Sequence, residues 1–242
     1  MKPKDHYDNH LGNFYSWMVG NFEEKQKEQE NFFAEQSLAV KNYKIAFDLG
    51  AGHGLQSISL AHLGYDVRAV DFSKQLLDEL NIRKEHLNIK TINDDILSFL
   101  KRTSEKAELI VCMGDTLTHL ESIGALADLV TEISKHLEPD GHVILSFRDL
   151  TQALIDEQRF ILVQSDDSKI LTCFLEYFPD YVMVHDVLHE RQNGKWTQKV
   201  SAYPKLRVNQ DMISKMLQEN NIEFVKSEVI HRMIYLTGKR IS

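Results

Sequence analysis

A short glycine-rich stretch constrains the fold of this chain more than any other feature. It reads Asp-Leu-Gly-Ala-Gly-His-Gly over residues 48–54 and continues an apolar segment, Lys44 to Leu49. Apolar residues then recur at near-helical spacing from Leu55 onward. Strand, glycine turn and helix begin a βαβ unit, and open α/β sheets bind ligands at the carboxyl ends of such strands. The dinucleotide fingerprint needs a glycine at position 55, where this chain has leucine.

Composition argues against several classes of function. The 242 residues suffice for one α/β domain, and their formal net charge is −8. An acidic chain lacks the basic face of a nucleic-acid binder, so no nucleic-acid partner is expected. No segment approaches the ~18 apolar residues of a membrane span, and the N-terminus lacks an apolar signal region. Cys112 and Cys173 lie in strand-like runs that suit a reducing compartment. We therefore expect a soluble cytoplasmic protein without a membrane partner.

Acidic residues follow the next two predicted strands. Asp71 ends the strand that begins at Asp66, and it lies 23 positions after Asp48. That is near the spacing at which a carboxylate accepts hydrogen bonds from ribose hydroxyls. The third strand, Ile89 to Ile92, runs into Asn-Asp-Asp-Ile at residues 93–96. Polar groups are thus predicted at one edge of the sheet.

The fourth and fifth strands are predicted at Glu108 to Met113 and His142 to Phe147. After its first residue the fourth is a continuous apolar run, which is typical of a strand buried on both faces. A loop at residues 114–120 follows it, and then an amphipathic helix extends to Leu137. Arg148 comes directly after the fifth strand, again on the ligand side.

The pattern changes after residue 150. Three strand-like runs predict an antiparallel insert, with Asn193-Gly194 as a hairpin signal. A helix capped by Asn209 follows, and two antiparallel strands close the chain. The runs of the insert are Ile170 to Tyr177, Tyr181 to Arg191 and Trp196 to Val208.

Together these features resemble the class I S-adenosylmethionine-dependent methyltransferases, in their small-molecule branch. The Asp-x-Gly-x-Gly-x-Gly spelling is similar to motif I of that family, and the loop at 114–120 resembles motif IV. The glycine N-methyltransferase group is a more distant resemblance. The family resemblance implies a Rossmann-like α/β fold with a seven-stranded mixed sheet in the order 3-2-1-4-5-7-6, beside a three-stranded antiparallel insert. It implies S-adenosyl-L-methionine as cofactor and in-line SN2 transfer of methyl to a nitrogen or oxygen of a small molecule.

The resemblance also divides the chain into four parts. Residues 1–41 are expected to form an N-terminal helical cap, with a helix from Phe22 to Val40. Residues 42–150 form the cofactor-binding core, and residues 151–207 form the insert, which acts as a substrate lid. Residues 208–242 supply the closing helix and strands of the core.

The predicted cofactor contacts come from the strand ends. The resemblance directs Asp48 towards the amino group of the cofactor, while Asp71 holds the ribose. Asp95 accepts from the adenine amino group and Ile96 packs on the ring, with Asp94 as the one-residue alternative to Asp95. Alternatively, either acid only caps the helix that follows. The predicted cofactor set is Asp48, Gly50, Ala51, Gly52, Gly54, Asp71, Phe72, Asp94, Asp95, Ile96, Met113 and Gly114.

Catalytic and substrate-binding residues are predicted around the same edge. His119 is the best-placed general base, with Asp115 and Tyr15 behind it, but His119 can equally be a helix-start residue without chemistry. Arg148 either holds a substrate carboxylate or pairs with neighbouring acids. Tyr15 and Trp17 either cover the cofactor or cover the sheet edge. The remaining substrate residues are Tyr203 and Arg207.

Alternative functions remain open at this point. No metal is expected, because His185 and His189 in one strand are ~13 Å apart. A catalytically silent S-adenosylmethionine-binding protein is compatible with the same motifs. An NAD-dependent oxidoreductase shares the βαβ start, but Leu55 argues against it. The expected partner is a small-molecule substrate, and the protein is a monomer or a homodimer.

Overall fold

The computed structural model of the protein describes residues 2–36, 38, 40–41 and 43–241. The described chain contains a seven-stranded sheet and a separate four-stranded sheet. The strands are β1 Ile45–Leu49, β2 Asp66–Asp71, β3 Ile89–Asn93, β4 Ala107–Cys112, β5 Leu137–Phe147, β6 Phe160–Ser165, β7 Lys169–Tyr177, β8 Tyr181–Gln192, β9 Lys195–Leu206, β10 Ile222–Ile230 and β11 Met233–Arg240. The α-helices are α1 Pro3–Asn9, α2 Tyr15–Val19, α3 Phe22–Glu35, α4 Leu55–His62, α5 Lys74–Arg83, α6 Ile96–Arg102, α7 Ile123–His136 and α8 Gln210–Glu219.

The larger sheet has the predicted order. Its strands run β3-β2-β1-β4-β5-β11-β10, and β11 pairs antiparallel with β5. All six residues of β4 are buried, as its apolar run predicts for a strand with helices on both faces. The expectation of a seven-stranded sheet in the order 3-2-1-4-5-7-6 is therefore confirmed.

Local hydrogen bonds set the helix boundaries. Helix α7 begins at Ile123, where the Ser122 side chain accepts from Ala125 N at 3.1 Å. Asn209 caps α8 as predicted, accepting from Met212 N at 2.9 Å. Residues 138–141 lie within β5, where the register with β4 shifts and Asp140 has a φ of 61°.

The insert contains four strands, in the order β6-β7-β8-β9, and the prediction of three was wrong on this point. The additional strand is β6, and its pairing with β7 shifts register between Leu162 and Gln164. That shift breaks the two-residue alternation by which a strand is recognised in sequence. One face of the insert packs on the N-terminal segment, where Leu171 and Leu188 contact Leu11 and Phe14.

The N-terminal segment differs most from expectation. Helix α1 was not predicted, and the predicted helix from Phe22 ends at Glu35 rather than Val40. Residues 37 and 39 of that prediction, and the predicted boundary at residue 42, lie outside the described residues. No helix of the described chain is long and apolar enough to span a membrane.

Candidate active site

The glycine turn is fastened to the end of β2. The amide groups of Gly50 and Ala51 both donate to Val70 O, at 2.8 and 3.0 Å. A side chain at Gly54, where φ is 101°, would approach Leu80 to 2.3 Å. The turn is therefore tightly packed on the side of Leu80, and its other side faces a cavity.

Asp71 organises the backbone beside this turn. Its carboxylate accepts from Gly52 N at 2.8 Å and from Ser73 N at 2.7 Å. The residue is buried, and this desolvation raises its pKa, although the two amide groups oppose that shift. Each carboxylate oxygen retains acceptor capacity for a ligand hydroxyl.

The two candidate acids after β3 occupy different surroundings. Asp95 caps α6, accepting from Ser98 N at 2.8 Å, and it borders the cavity together with Ile96. Asp94 forms an ion pair with Arg102 and does not line the cavity. Of the two alternatives, geometry therefore favours Asp95.

Asp48 lies below the glycine turn and not on the cavity wall. Its carboxylate accepts from Ser57 Oγ at 2.5 Å and is almost fully buried. Burial raises the pKa of Asp48 to about 7. Any effect of this residue on an amino group in the cavity is therefore indirect.

Asp115 lies at the end of β4 in a buried cluster with two cations. It accepts from Arg148 Nη1 at 3.1 Å and from Lys205 Nζ. Burial alone would raise its pKa, but Lys205 and Arg148 hold the pKa well below the usual range. A carboxylate held in this way is a poor proton acceptor.

His119 borders the same cavity from the loop after β4. Its ring stacks on Tyr203 with centroids 5.4 Å apart and meets Tyr7 edge-on at 5.8 Å. Burial and the nearby Lys205 lower its pKa to about 3. Its Nδ1 atom is buried and has no hydrogen-bond partner among the described residues. The imidazole is therefore neutral at physiological pH.

The glycine turn, the ends of the core strands and the N-terminal segment surround one cavity of about 430 Å³, which is of ligand size. The predicted residues that line it are Tyr15, Gly50, Ala51, Gly52, Asp71, Phe72, Asp95, Ile96, Met113, Gly114, His119 and Arg148. The predicted residues outside its lining are Trp17, Asp48, Gly54, Asp94, Asp115, Tyr203 and Arg207.

Three of the outlying residues have identifiable structural contacts. Trp17 donates to Asp166 and so joins α2 to the insert. Tyr203 lies between the His6 and His119 rings, with the His6 centroid at 4.1 Å. Arg207 donates to four backbone carbonyls, including Leu150 O at 3.1 Å. Each of them supports the site from outside.

Tyr7 lines the cavity and was not predicted from the sequence. Tyr7 lies on α1 and meets Phe72 edge-on, with ring centroids 5.4 Å apart. Pro3 at the first turn of α1 was the available signal for this helix. Five further lining residues were also not predicted, namely Gln29, Phe32, His231, Met233 and Tyr235.

No group of three or more histidine, cysteine or acidic side chains within the described residues is arranged to hold a metal ion. The polar groups that line the cavity include carboxylates, backbone amides, tyrosine hydroxyls and the exposed guanidinium of Arg148.

Comparison with known proteins agrees with the geometry. Residues 46–141 match the family described as methyltransferase domain. The chain is 26% identical over 162 residues to a glycine/sarcosine N-methyltransferase of Aphanothece halophytica, covering 65% of this chain and 60% of that protein. It is 28% identical over 109 residues to a mitochondrial ubiquinone biosynthesis O-methyltransferase of Schizosaccharomyces pombe, covering 43% and 37%. In both cases the match spans less than two thirds of the relative's length.

The fold is also found among solved structures. An S-adenosylmethionine-bound amino pentose methyltransferase from Micromonospora echinaspora superposes with a TM-score of 0.73, at 13% identity, over 96% of this chain and 97% of that one. The glycine turn, the sheet order and the domain match agree with one another. Residues 46–141 match a methyltransferase domain, and the chain shares the fold of solved S-adenosylmethionine-dependent methyltransferases.

Proposed function

We propose that this protein methylates a nitrogen atom of a small, anionic acceptor. One observation carries the choice of nitrogen: His119, which lines the cavity, has a pKa lowered to about 3 by burial and Lys205, and Asp115 is held by two cations. An alcohol must lose a proton as it is methylated, which requires a general base. A neutral amine arrives with its lone pair free.

The residues of the cavity fit the expected cofactor. S-adenosylmethionine, when bound, supplies a methyl group already activated on a sulfonium. Asp71 and Asp95 place carboxylates at the ends of β2 and β3, where ribose hydroxyls and an adenine amino group would be held. The absence of a side chain at Gly52 leaves its backbone open to the cavity, with Tyr15 Oη 3.6 Å from where a Cβ would stand. We assign Met113 and Gly114 to the methionine end.

Arg148 is the proposed anchor for the acceptor. Asp115 carries one negative charge, and the two cations beside it carry two positive charges. The Lys205 side chain is 12% exposed, whereas that of Arg148 is 48% exposed. Lys205 therefore neutralises the buried acid, and Arg148 retains donors that face the cavity. A carboxylate is the group that a guanidinium binds in bidentate fashion.

The cap and the insert are proposed to exclude water from the transfer. Tyr7 and Tyr15 line the cavity from the N-terminal segment, and Lys205 on β9 pairs with Asp115, which also contacts Arg148 of the cavity wall. We retain the four-part division at residues 1–41, 42–150, 151–207 and 208–242 as a proposal, with the insert as the lid. Water exclusion favours in-line alignment of the amine with the methyl.

Calorimetry and a product assay test this function in sequence. We expect S-adenosylmethionine and S-adenosylhomocysteine to bind, and NAD not to bind. Acceptors are then compared as matched sets: an amino acid, its decarboxylated amine, and the corresponding hydroxy acid. Formation of S-adenosylhomocysteine with the amino acid alone supports the proposal. Faster turnover of the hydroxy acid contradicts it, and binding without turnover of any acceptor supports a silent cofactor-binding protein.

A further inference from the structure

One wall of the cavity is formed by the sheet where β5 pairs with β11. Tyr235 pairs with Ser146 across these two strands. Met233 precedes Tyr235 by two positions and Arg148 follows Ser146 by two, so both continue that pair along the sheet. Paired residues, and residues two apart in one strand, project from the same face. Met233, Tyr235 and Arg148 therefore share one face, and all three line the cavity.

This wall reaches the residue that we assign to the methionine end of the cofactor. Gly114 N donates to Ser146 Oγ at 2.8 Å, and Ser146 is fully buried. Because the sheet order is β4-β5-β11, Gly114, Ser146 and Tyr235 follow one another across the sheet. The strand spacing of ~4.8 Å puts Gly114 and Tyr235 roughly 10 Å apart. An acceptor that receives the methyl group beside Gly114 reaches Tyr235 only if it carries a side group.

The far end of the wall is aromatic. The Tyr235 ring contacts the ring of Phe32 on α3, with centroids 4.9 Å apart. Both rings line the cavity together with Met233. Aromatic rings contribute a large apolar area to a binding site, and they interact favourably with a further ring at such distances.

Most polar residues around this aromatic end are paired with one another. Lys25 and Glu28 form an ion pair at 2.8 Å, and Gln56 donates to Gln29 at 3.2 Å. His231 lies at the exposed turn that joins β10 to β11. All five residues line the cavity. Since the four residues on α3 and α4 already have polar partners, the apolar surface beside them is what a ligand has most to gain by covering.

We propose that the methyl acceptor is an amino acid with a large apolar side group, which Phe32, Met233 and Tyr235 bind. This inference rests on the proposed function, in which Arg148 anchors the carboxylate of an amine acceptor. Arg148 follows β5, which lies between β4 and β11. The amine, the carboxylate and the side group of one α-carbon are therefore directed to three successive strands.

Calorimetry on the full chain saturated with S-adenosylhomocysteine tests the inference without requiring turnover. L-phenylalanine should bind roughly 10- to 100-fold more tightly than glycine, the effect of burying a phenyl group. It should also bind more tightly than L-glutamine, which has a polar side chain of similar length. Tyr235→Ala should remove most of this preference, whereas Tyr235→Phe keeps the ring and should retain it. Phe160→Ala is the control, because Phe160 is 60% exposed on the insert and does not line the cavity.

Circular dichroism establishes that each variant is folded. If Tyr235→Ala unfolds the chain, Met233→Gln replaces it, with the same expected loss of preference. Equal affinities for phenylalanine and glycine, or no binding of any of the three amino acids, overturn the inference. A preference that folded Tyr235→Ala or Met233→Gln leaves intact also overturns it. Phenylalanine that binds as expected and is not methylated contradicts only the proposed function, whereas methylation of glycine and not of phenylalanine contradicts only this inference.

Discussion

Lys205, on the last strand of the insert, donates a hydrogen bond to the buried carboxylate of Asp115, ninety residues earlier at the end of β4. Arg148, directly after β5, contacts the same carboxylate. One anion thus joins two strands of the core sheet to the insert. Removing its charge would leave two cations in proximity without compensation.

Asp115→Asn should therefore lower the free energy of unfolding by about 3 kcal/mol, the lower end for breaking a buried ion pair, since Arg148 is half exposed. Chemical denaturation measures this change. Asp140→Asn is the matched control, because Asp140 also has positive φ and pairs with Lys239, but at the surface. Equal effects of the two substitutions would contradict the structural role of Asp115.

Arg148→Gln should raise KM for a carboxylate-bearing acceptor roughly 10- to 100-fold, corresponding to about 1.5–3 kcal/mol for a charged hydrogen bond. Affinity for S-adenosylhomocysteine should remain near the wild-type value. Arg102→Gln serves as the control, since Arg102 pairs with Asp94 outside the cavity. If the substitution raises KM for the decarboxylated acceptor as much as it does for the acid, Arg148 is not a carboxylate anchor.

Asp71→Asn should reduce affinity for S-adenosylhomocysteine by about 1.5–3 kcal/mol, because a charged acceptor of ribose hydroxyls is lost. The sharper readout is a ligand comparison. Wild type should discriminate against the 2′-deoxy and 3′-deoxy analogues, and the variant should lose this discrimination against at least one of them. Asp66→Asn, at the opposite end of β2, is the control. Discrimination retained by folded Asp71→Asn would assign the ribose to another residue.

Stability should depend on pH through His53. Burial lowers its pKa from 6.5 to about 4 in the folded chain. Between these values the unfolded chain binds a proton that the folded chain does not, so this contribution to stability is lost as the pH falls from 6.5 to about 4. His53→Asn does not titrate. The stability difference between variant and wild type should therefore shrink on acidification, by up to ~1.4 kcal/mol per pH unit. A difference that stays constant between neutral and acidic pH would contradict this assignment.

The pH dependence of turnover should reflect the pKa of the acceptor amine and not that of His119. Its lowered pKa, about 3, leaves the imidazole neutral throughout the neutral range. The rising limb of kcat/KM should thus move with the pKa of the acceptor amine when acceptors are compared, and His119→Asn should not shift it. A midpoint that is the same for all acceptors and is displaced by His119→Asn would identify His119 as a base.

Local signals account for what could be predicted. The glycine turn, the buried run of β4 and the Asn209 cap each depend on neighbouring residues, so their positions follow from sequence. Lys205 and Asp115 meet only through tertiary packing, for which no spacing rule exists. Helix α1 is seven residues long and too short to be stable alone, so packing against the insert decides its formation. The fourth strand of the insert was missed because its bulge interrupts the alternation.

During synthesis, the cavity can close only after α1 has made its contact with the insert. His6 Nδ1 lies 2.8 Å from Ser201 Oγ, 195 positions along the chain, and its Nε2 lies 3.1 Å from Asp186 Oδ2 without hydrogen-bond alignment. During synthesis α1 emerges long before β8 and β9. The imidazole of His6 therefore has no partners until those two strands have been made. The glycine turn, β2 and β4 are all complete by then. In a nascent chain the cofactor site is therefore formed and open before α1 and the insert pack together over it.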